Sequence, residues 1–358
     1  NTAGGNWNVA SNWSAGVPVA GQIVVIDLGP AVNPTISVTD TQVSGQLQST
    51  ENILVGGTAN WTISNPSTIS AGLTMTAGSI GGSGNLAVNG PFAWSGGGIG
   101  GTGTLTLNGA TTISGSVFAT RPMVNVGTVD VTTANGRLHV SNTSFSNQGQ
   151  FNLTASNTNT TPITTFFGGG TFNNAGTLTK AGAVDQNLSP GAFNNSGQVT
   201  LNAGSGTLRL DSAGAGMGAY TVNAGSTLQF HADRTLGAGS AVNGAGAVLF
   251  SAGTVNVNGT YAIAGTGTTT ISNGAAAFNT GSPVVFSAPL TMSGGALLGA
   301  DNITTNGFAW SGGAIADTGT LTLNGLTTIS GSVRTERPVV NVGTVDVTTA
   351  NGRLHVSN

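Results

Sequence analysis

The sequence has no cysteine, which excludes disulfides, thiolate catalysis and Cys-based zinc sites together. Charge is almost as scarce. Eight Lys and Arg and eleven Asp and Glu make up 5% of the 358 residues, where an ordinary soluble domain carries about a quarter. With a net charge of −3 and cations scattered singly, there is no basic stripe to neutralise phosphates, so nucleic acid is not an expected partner. No apolar run approaches the roughly 18 residues of a membrane-spanning helix. Helix signals are missing as well: charged helix formers are few, and no stretch repeats apolar residues at i, i+3, i+4 and i+7. Proline is limited to 11 residues, and the 59 glycines follow no third-position period, which rules out collagen. The chain opens at Asn1 without a Met or an apolar leader, which reads as a processed or trimmed product.

Short alternating runs fill the space these absences leave. Thr104-Leu105-Thr106-Leu107, Thr128-Val129-Asp130-Val131, Arg137-Leu138-His139-Val140 and Thr207-Leu208-Arg209-Leu210 each read as a strand with one buried face. With 38% hydrophobic residues the chain can fill a core, so disorder is set aside. An apolar-x-Asn-x-Gly signature punctuates the runs: Met123/Asn125/Gly127, Phe145/Asn147/Gly149, Phe172/Asn174/Gly176 and Phe193/Asn195/Gly197, with Gly-to-Gly steps of 22, 27 and 21 residues.

Coils of about 20 to 27 residues, each holding two or three short strands, are the arithmetic of a right-handed parallel β-helix, an all-β solenoid of about 16 coils here. Stacked coils bring like residues together. Phe145, Phe172 and Phe193 are expected in an aromatic column, and Asn125, Asn147, Asn174 and Asn195 in an amide ladder at a corner. Gly127, Gly149, Gly176 and Gly197 are expected where the chain turns with positive φ. The competing architecture is a series of antiparallel sandwiches.

One block is present twice. Residues 102–142 return as 318–358 with five differences: Ala110/Leu326, Phe118/Arg334, Ala119/Thr335, Thr120/Glu336 and Met123/Val339. Weaker similarity extends upstream, with Trp61 aligned to Phe278 and Leu73-Thr74-Met75 to Leu290-Thr291-Met292 at an offset of 217, and Phe92-Ala93-Trp94 to Phe308-Ala309-Trp310 at 216 after loss of Pro91. This divides the chain into residues 1–56, N-terminal coils able to cap the open strand edge; 57–273, a first solenoid block; and 274–358, a partial second copy. In the first copy, residue 142 runs on into Thr143-Ser144-Phe145, so further sequence of that kind is expected beyond residue 358.

Residues 5–28, GNWNVASNWSAGVPVAGQIVVIDL, with paired Trp and following Pro and Asp, resemble the opening of β-helical regions in large bacterial exoproteins. The F-x-N-x-G coils at Phe145, Phe172 and Phe193 look like those of autotransporter passengers and filamentous-haemagglutinin-type adhesins. The resemblance covers most of the chain as pattern and composition. It implies a secreted or surface-displayed right-handed β-helix and transfers no functional residue.

Candidate chemistry is sparse. Asp130, Arg137 and His139, repeated as Asp346, Arg353 and His355, place an acid, a cation and a base where one face of the solenoid could bind or act on sugar; the plainer reading is a salt bridge and a solvated imidazole copied by duplication. Trp94 and Trp310 are candidates for stacking on sugar rings if exposed, and for core filling if not. Glycoside cleavage needs two carboxylates about 5 to 9.5 Å apart. The best pair one coil apart is Asp211 and Asp233, flanked by Arg209, His231 and Arg234. The glycine run at residues 96–103 lacks the βαβ context of a dinucleotide site, residues 81–85 lack the Asp of calcium nonapeptides, and the Thr-x-Thr pairs lack the coil-to-coil continuity of an ice-binding face.

The expectation is a non-enzymatic, extracellular structural or adhesive rod on a bacterial cell surface, needing no cofactor or metal. Its expected partners are its own copies in a fibre, or a host or cell-surface glycan or protein. The alternative is a β-helix that binds or cleaves polysaccharide.

Overall fold

The computed structural model describes residues 4–29 and 33–357. It is 52% strand, and its parallel strands stack into a β-solenoid of about 17 turns. The chain forms two compact units, Asn1–Leu178 and Thr179–Asn358, a different partition from the repeat blocks.

In the first unit a typical coil makes three strands. Thr128–Val131, Arg137–Val140 and Ser144–Asn147 belong to the first, second and third sheets in turn. Each pairs in parallel with the strand one coil back: Ala110–Ile113, Ser116–Ala119 and Met123–Asn125. Parallel pairing throughout overturns the sandwich, whose strands would run antiparallel. The alternation seen in the sequence is the alternation in space. Val129, Val131, Leu138 and Val140 are fully buried, and the residues between them face outward.

Coil length varies more than the sequence signature suggests. The step between paired strands is 17 residues from Thr35 to Asn52 and 27 from Ser144 to Thr171. The long coil is long because residues 154–170 leave the wall and return with only the two-residue strand Ile163–Thr164 in the second sheet. At the N-terminal side, Gly5–Asn6 pairs with Thr35–Val38. The buried Trp7 ring lies 4.8 Å from Trp13 and 5.2 Å from Trp61.

The amide ladder is present. Asn125 Nδ2 donates to Asn147 Oδ1 and Asn147 Nδ2 to Asn174 Oδ1, both at 2.7 Å, and all three side chains are buried. A second donation from each rung, Asn125 to Gln150 O at 2.8 Å and Asn147 to Thr177 O at 3.0 Å, ties the amides to the adjoining strand. Phe145 stacks on Phe172 with centroids 5.1 Å apart and planes within 9°. In the second unit Asn195 and Phe193 are buried likewise. Gly197 lies in the bend between Ala192–Asn195 and Gln198–Leu201.

The reason for glycine at these corners differs from the one expected. Gly127, Gly149 and Gly176 do not have positive φ. A Cβ at Gly127 would lie 2.3 Å from Gly109 O, at Gly149 2.0 Å from Gly127 O, and at Gly176 2.1 Å from Gly149 O. Stacked corners approach too closely for any side chain, and each glycine makes room for the next.

The second unit repeats the logic. Gln198–Leu201, Ala219–Val222, Ala241–Gly244 and Thr260–Ile263 form one parallel stack, and Gly206–Leu210, Ser226–Phe230, Ala247–Phe250 and Thr268–Ile271 another. The duplicated cassette folds into the same strands in both copies: Leu105–Leu107 and Leu321–Leu323, Ser116–Ala119 and Ser332–Thr335, Arg137–Val140 and Arg353–Val356. A difference lies upstream, where Phe308–Ile315 runs unbroken through the glycines that separate Phe92–Trp94 from Gly98–Ile99, and Leu290–Leu298 spans the break between Leu73–Met75 and Ser79–Gly81.

Candidate functional site

Asp130 does not share a face with its expected companions. It sits on the outer side of the first sheet and accepts from Asn152 Nδ2 at 2.7 Å. The corner at residues 132–136, with Thr133 at φ 64°, then carries the chain to the second sheet. There Arg137 and His139 project from one strand on the same face, opposite the buried Leu138 and Val140. The expected salt bridge is absent: among the described residues the ion pairs are Arg209 with Asp211 and Arg334 with Glu336.

His139 is not the solvated imidazole the sequence suggests. Its ring is 5% exposed and lies flat against Phe118, centroids 4.6 Å apart and planes within 10°. Its Nε2 is 2.9 Å from Ser116 Oγ. Burial, and secondarily the charge of Arg137, lowers its pKa, so the neutral form prevails at pH 7. A serine beside a neutral histidine resembles part of a hydrolytic triad, but among the described residues Nδ1 has no hydrogen-bond partner, and Asp130, the acid that would orient it, is on another sheet. In the second copy the contact recurs as Ser332 Oγ to His355 Nε2 at 3.1 Å, but Asp346, Arg353 and His355 are all exposed. Phe118 is replaced there by Arg334, which pairs with Glu336.

Trp94 and Trp310 are 0% and 1% exposed and stack on Phe92 and Phe308 in the core, which removes them from the candidate surface. The carboxylate pair fares no better as a catalytic unit. Asp211 is held by Arg209, and Asp233 accepts the Thr254 backbone N–H at 2.7 Å. His231 Nδ1 is 2.9 Å from Ser251 Oγ, and Arg234 is buried. Arg209 and Asp211 thus pair with each other, while Asp233, His231 and Arg234 each bind different backbone or hydroxyl groups.

Two features lie outside what sequence reasoning picked out. The first is an aromatic cluster on the outer face of the second sheet. Phe166, 58% exposed, stands edge-on to Phe118 at 5.5 Å and to His139 at 5.7 Å, and Phe167, 65% exposed, stands edge-on to Phe166 at 4.4 Å. The backbone beneath the two rings is anchored, because the N–H groups of Phe166 and Phe167 donate to the buried Ser141 Oγ at 2.9 and 3.2 Å. The usable signal was the dipeptide itself: adjacent Phe residues cannot both face inward from a strand.

The second feature is the use made of scarce charge. Arg121, Lys180, Arg234 and Arg337, half of the eight cations, are buried and donate to backbone carbonyls. Arg121 reaches Gly103 O at 2.5 Å and Gly84 O at 2.6 Å, so it clamps its own coil to the two before it. Arg234 joins Ser212 O and Phe193 O, both at 2.9 Å. Arg337, the copy of Arg121, bonds Ala316 O at 2.6 Å and Gly299 O at 2.5 Å. Acids act on the other backbone group: Asp185, Asp301 and Asp317 accept N–H groups of Thr207, Thr280 and Gly299 at 2.6 to 2.7 Å.

Lys180 donates to Gly182, Val184 and Ser205 carbonyls, and burial holds its pKa down to about 8 against the opposing pull of Asp185. An unfolded chain keeps that proton to about pH 10.4. Between these values the unfolded state binds more protons, so stability rises with pH from about 8 to about 10. Above that the buried Tyr261 phenol, whose pKa is raised, works in the opposite direction. Urea midpoints are expected to be higher at pH 9.5 than at pH 7.5 in the native protein and level in Lys180→Met.

Compared with protein families, characterised proteins and solved structures, the chain matches none.

Proposed function

We propose that this chain is a non-enzymatic structural and adhesive β-solenoid, displayed outside a bacterial cell as its resemblance to autotransporter-type and haemagglutinin-type coils implies. The observation that carries this reading is the commitment of its ionisable groups to the scaffold. Buried cations tie carbonyls, and carboxylates tie N–H groups across neighbouring coils. Catalytic groups would instead have to be free to exchange protons with a substrate. The outward sheet faces, low in charge, are left for contact with surfaces and with other copies, whose approach meets little repulsion.

The test is attachment. Beads coated with the protein are expected to adhere to glycan-bearing or protein-coated surfaces well above beads coated with albumin, while polysaccharides incubated with the protein release no reducing ends. Release of reducing ends that disappears in Asp211→Asn would replace this reading with the cleaving alternative, and beads that attach to nothing would remove the adhesive part of it.

A further inference from the structure

Resting on that adhesive reading, the geometry points to a defined ligand site: we propose that the outer face of the second sheet in the first unit binds an acidic polysaccharide, one sugar ring stacking on the shelf of Phe118 and Phe166 while a sugar carboxylate pairs with Arg137.

The shelf is built for stacking. Phe118 is backed by His139 on one side. On the other side the paired position one coil earlier is Gly98, which has no side chain to cover the ring. Phe166 forms a wall at 82° to Phe118, so an incoming ring meets a face and an edge at once. Ser141 holds the Phe166 and Phe167 backbone beforehand, so little ordering is required on binding. Large exposed rings clustered in this way mark a contact surface.

The neighbouring polar groups decide the ligand class. Arg137 lies two residues before His139 on the same face, about 7 Å along the strand, which is the scale of one pyranose and its substituent. It lines an open cleft of about 690 Å³ with Ser116, Asn135, Asn159 and Thr160, neutral groups suited to sugar hydroxyls. Its Nη2 donates to Asn159 Oδ1 at 3.0 Å, and among the described residues its Nε has no partner and no carboxylate pairs with it. A cation left unneutralised beside an aromatic shelf favours a carboxylate-bearing sugar over a neutral one. The second copy serves as an internal control. Arg334 replaces the stacking ring there, and Glu336 occupies the new cation.

Isothermal titration and affinity electrophoresis with polygalacturonate, dextran and a single-stranded oligonucleotide test the proposal on the whole chain. Polygalacturonate is expected to bind, with affinity falling as salt rises, and dextran and oligonucleotide to be retained at least ~10-fold more weakly, about 1.4 kcal/mol. Phe166→Ala and Arg137→Gln are each expected to lose ~10-fold or more. Phe118→Arg installs the residue the second copy already carries at this position, and is expected to lose binding with the unfolding midpoint unchanged. Equal retention of dextran, preference for the oligonucleotide, or full binding by Arg137→Gln would overturn the acidic-sugar assignment while leaving the bead result standing. Beads that fail to attach while polygalacturonate still binds would overturn the adhesive reading and leave this site intact.

Discussion

Replacing Arg121 by Ala is expected to lower the unfolding free energy by about 4 kcal/mol, a large fraction of what a domain ordinarily has. The side chain is fully buried and donates to Gly103 O and Gly84 O. Without it two carbonyls at a closed corner lose their donor, at about 1 to 3 kcal/mol each, and a void remains where the guanidinium lay. Arg121→Lys is expected to recover about half, because one ammonium on a flexible stem does not reproduce the planar fork that reaches two coils. Urea denaturation followed by circular dichroism gives the values. A loss below about 1 kcal/mol for the Ala variant would mean that water or relaxation satisfies the corner and that the clamp is incidental.

A second large effect is expected from a change of one atom. In Asn147→Asp the Nδ2 that donates to Asn174 Oδ1 and Thr177 O becomes an oxygen facing two acceptors in a fully buried position. The carboxylate cannot be solvated there, so its folded pKa rises above the unfolded value near 3.9. The protonated form can still donate one bond. The sign follows: the variant keeps most of its stability below about pH 4 and loses it as pH rises through the raised folded pKa. At pH 7 the deficit is expected to be about 4 kcal/mol or more. Asn147→Ala is expected to cost about 3 kcal/mol at every pH. A flat pH profile for the Asp variant would show that the ladder admits water.

The parts of this fold readable from the sequence were those set by like residues meeting like. Phe145 over Phe172 and Asn125 over Asn147 follow from a 22 to 27 residue recurrence alone, because a parallel stack places equal positions in contact. What depends on the third dimension of a coil was not readable. Five corner residues are enough to move Asp130 onto a different sheet from Arg137 and His139. Arg121 looks like an ordinary surface cation before Pro122, and only the nearby carbonyls of two earlier coils turn it inward. Glycine at the corners was legible as a requirement, but its cause, contact with the carbonyl one coil away, was not.

The aromatic cluster escaped notice because it depends on the long excursion between Leu153 and Thr171, which brings Phe166 back against Phe118 and His139 of earlier coils.

The clamp formed by Arg121 and repeated by Arg337 bears on how such a gene can change length. Both arginines meet carbonyls of the preceding coils, so each copy of the cassette carries its own clamp. A crossover between the two near-identical 41-residue tracts would excise or add one whole repeat interval, clamp included, and join like strand to like strand. Most insertions of arbitrary size would not. Copy number is therefore the coordinate along which this architecture can vary with least penalty, and unequal recombination is a genetic event that moves along it.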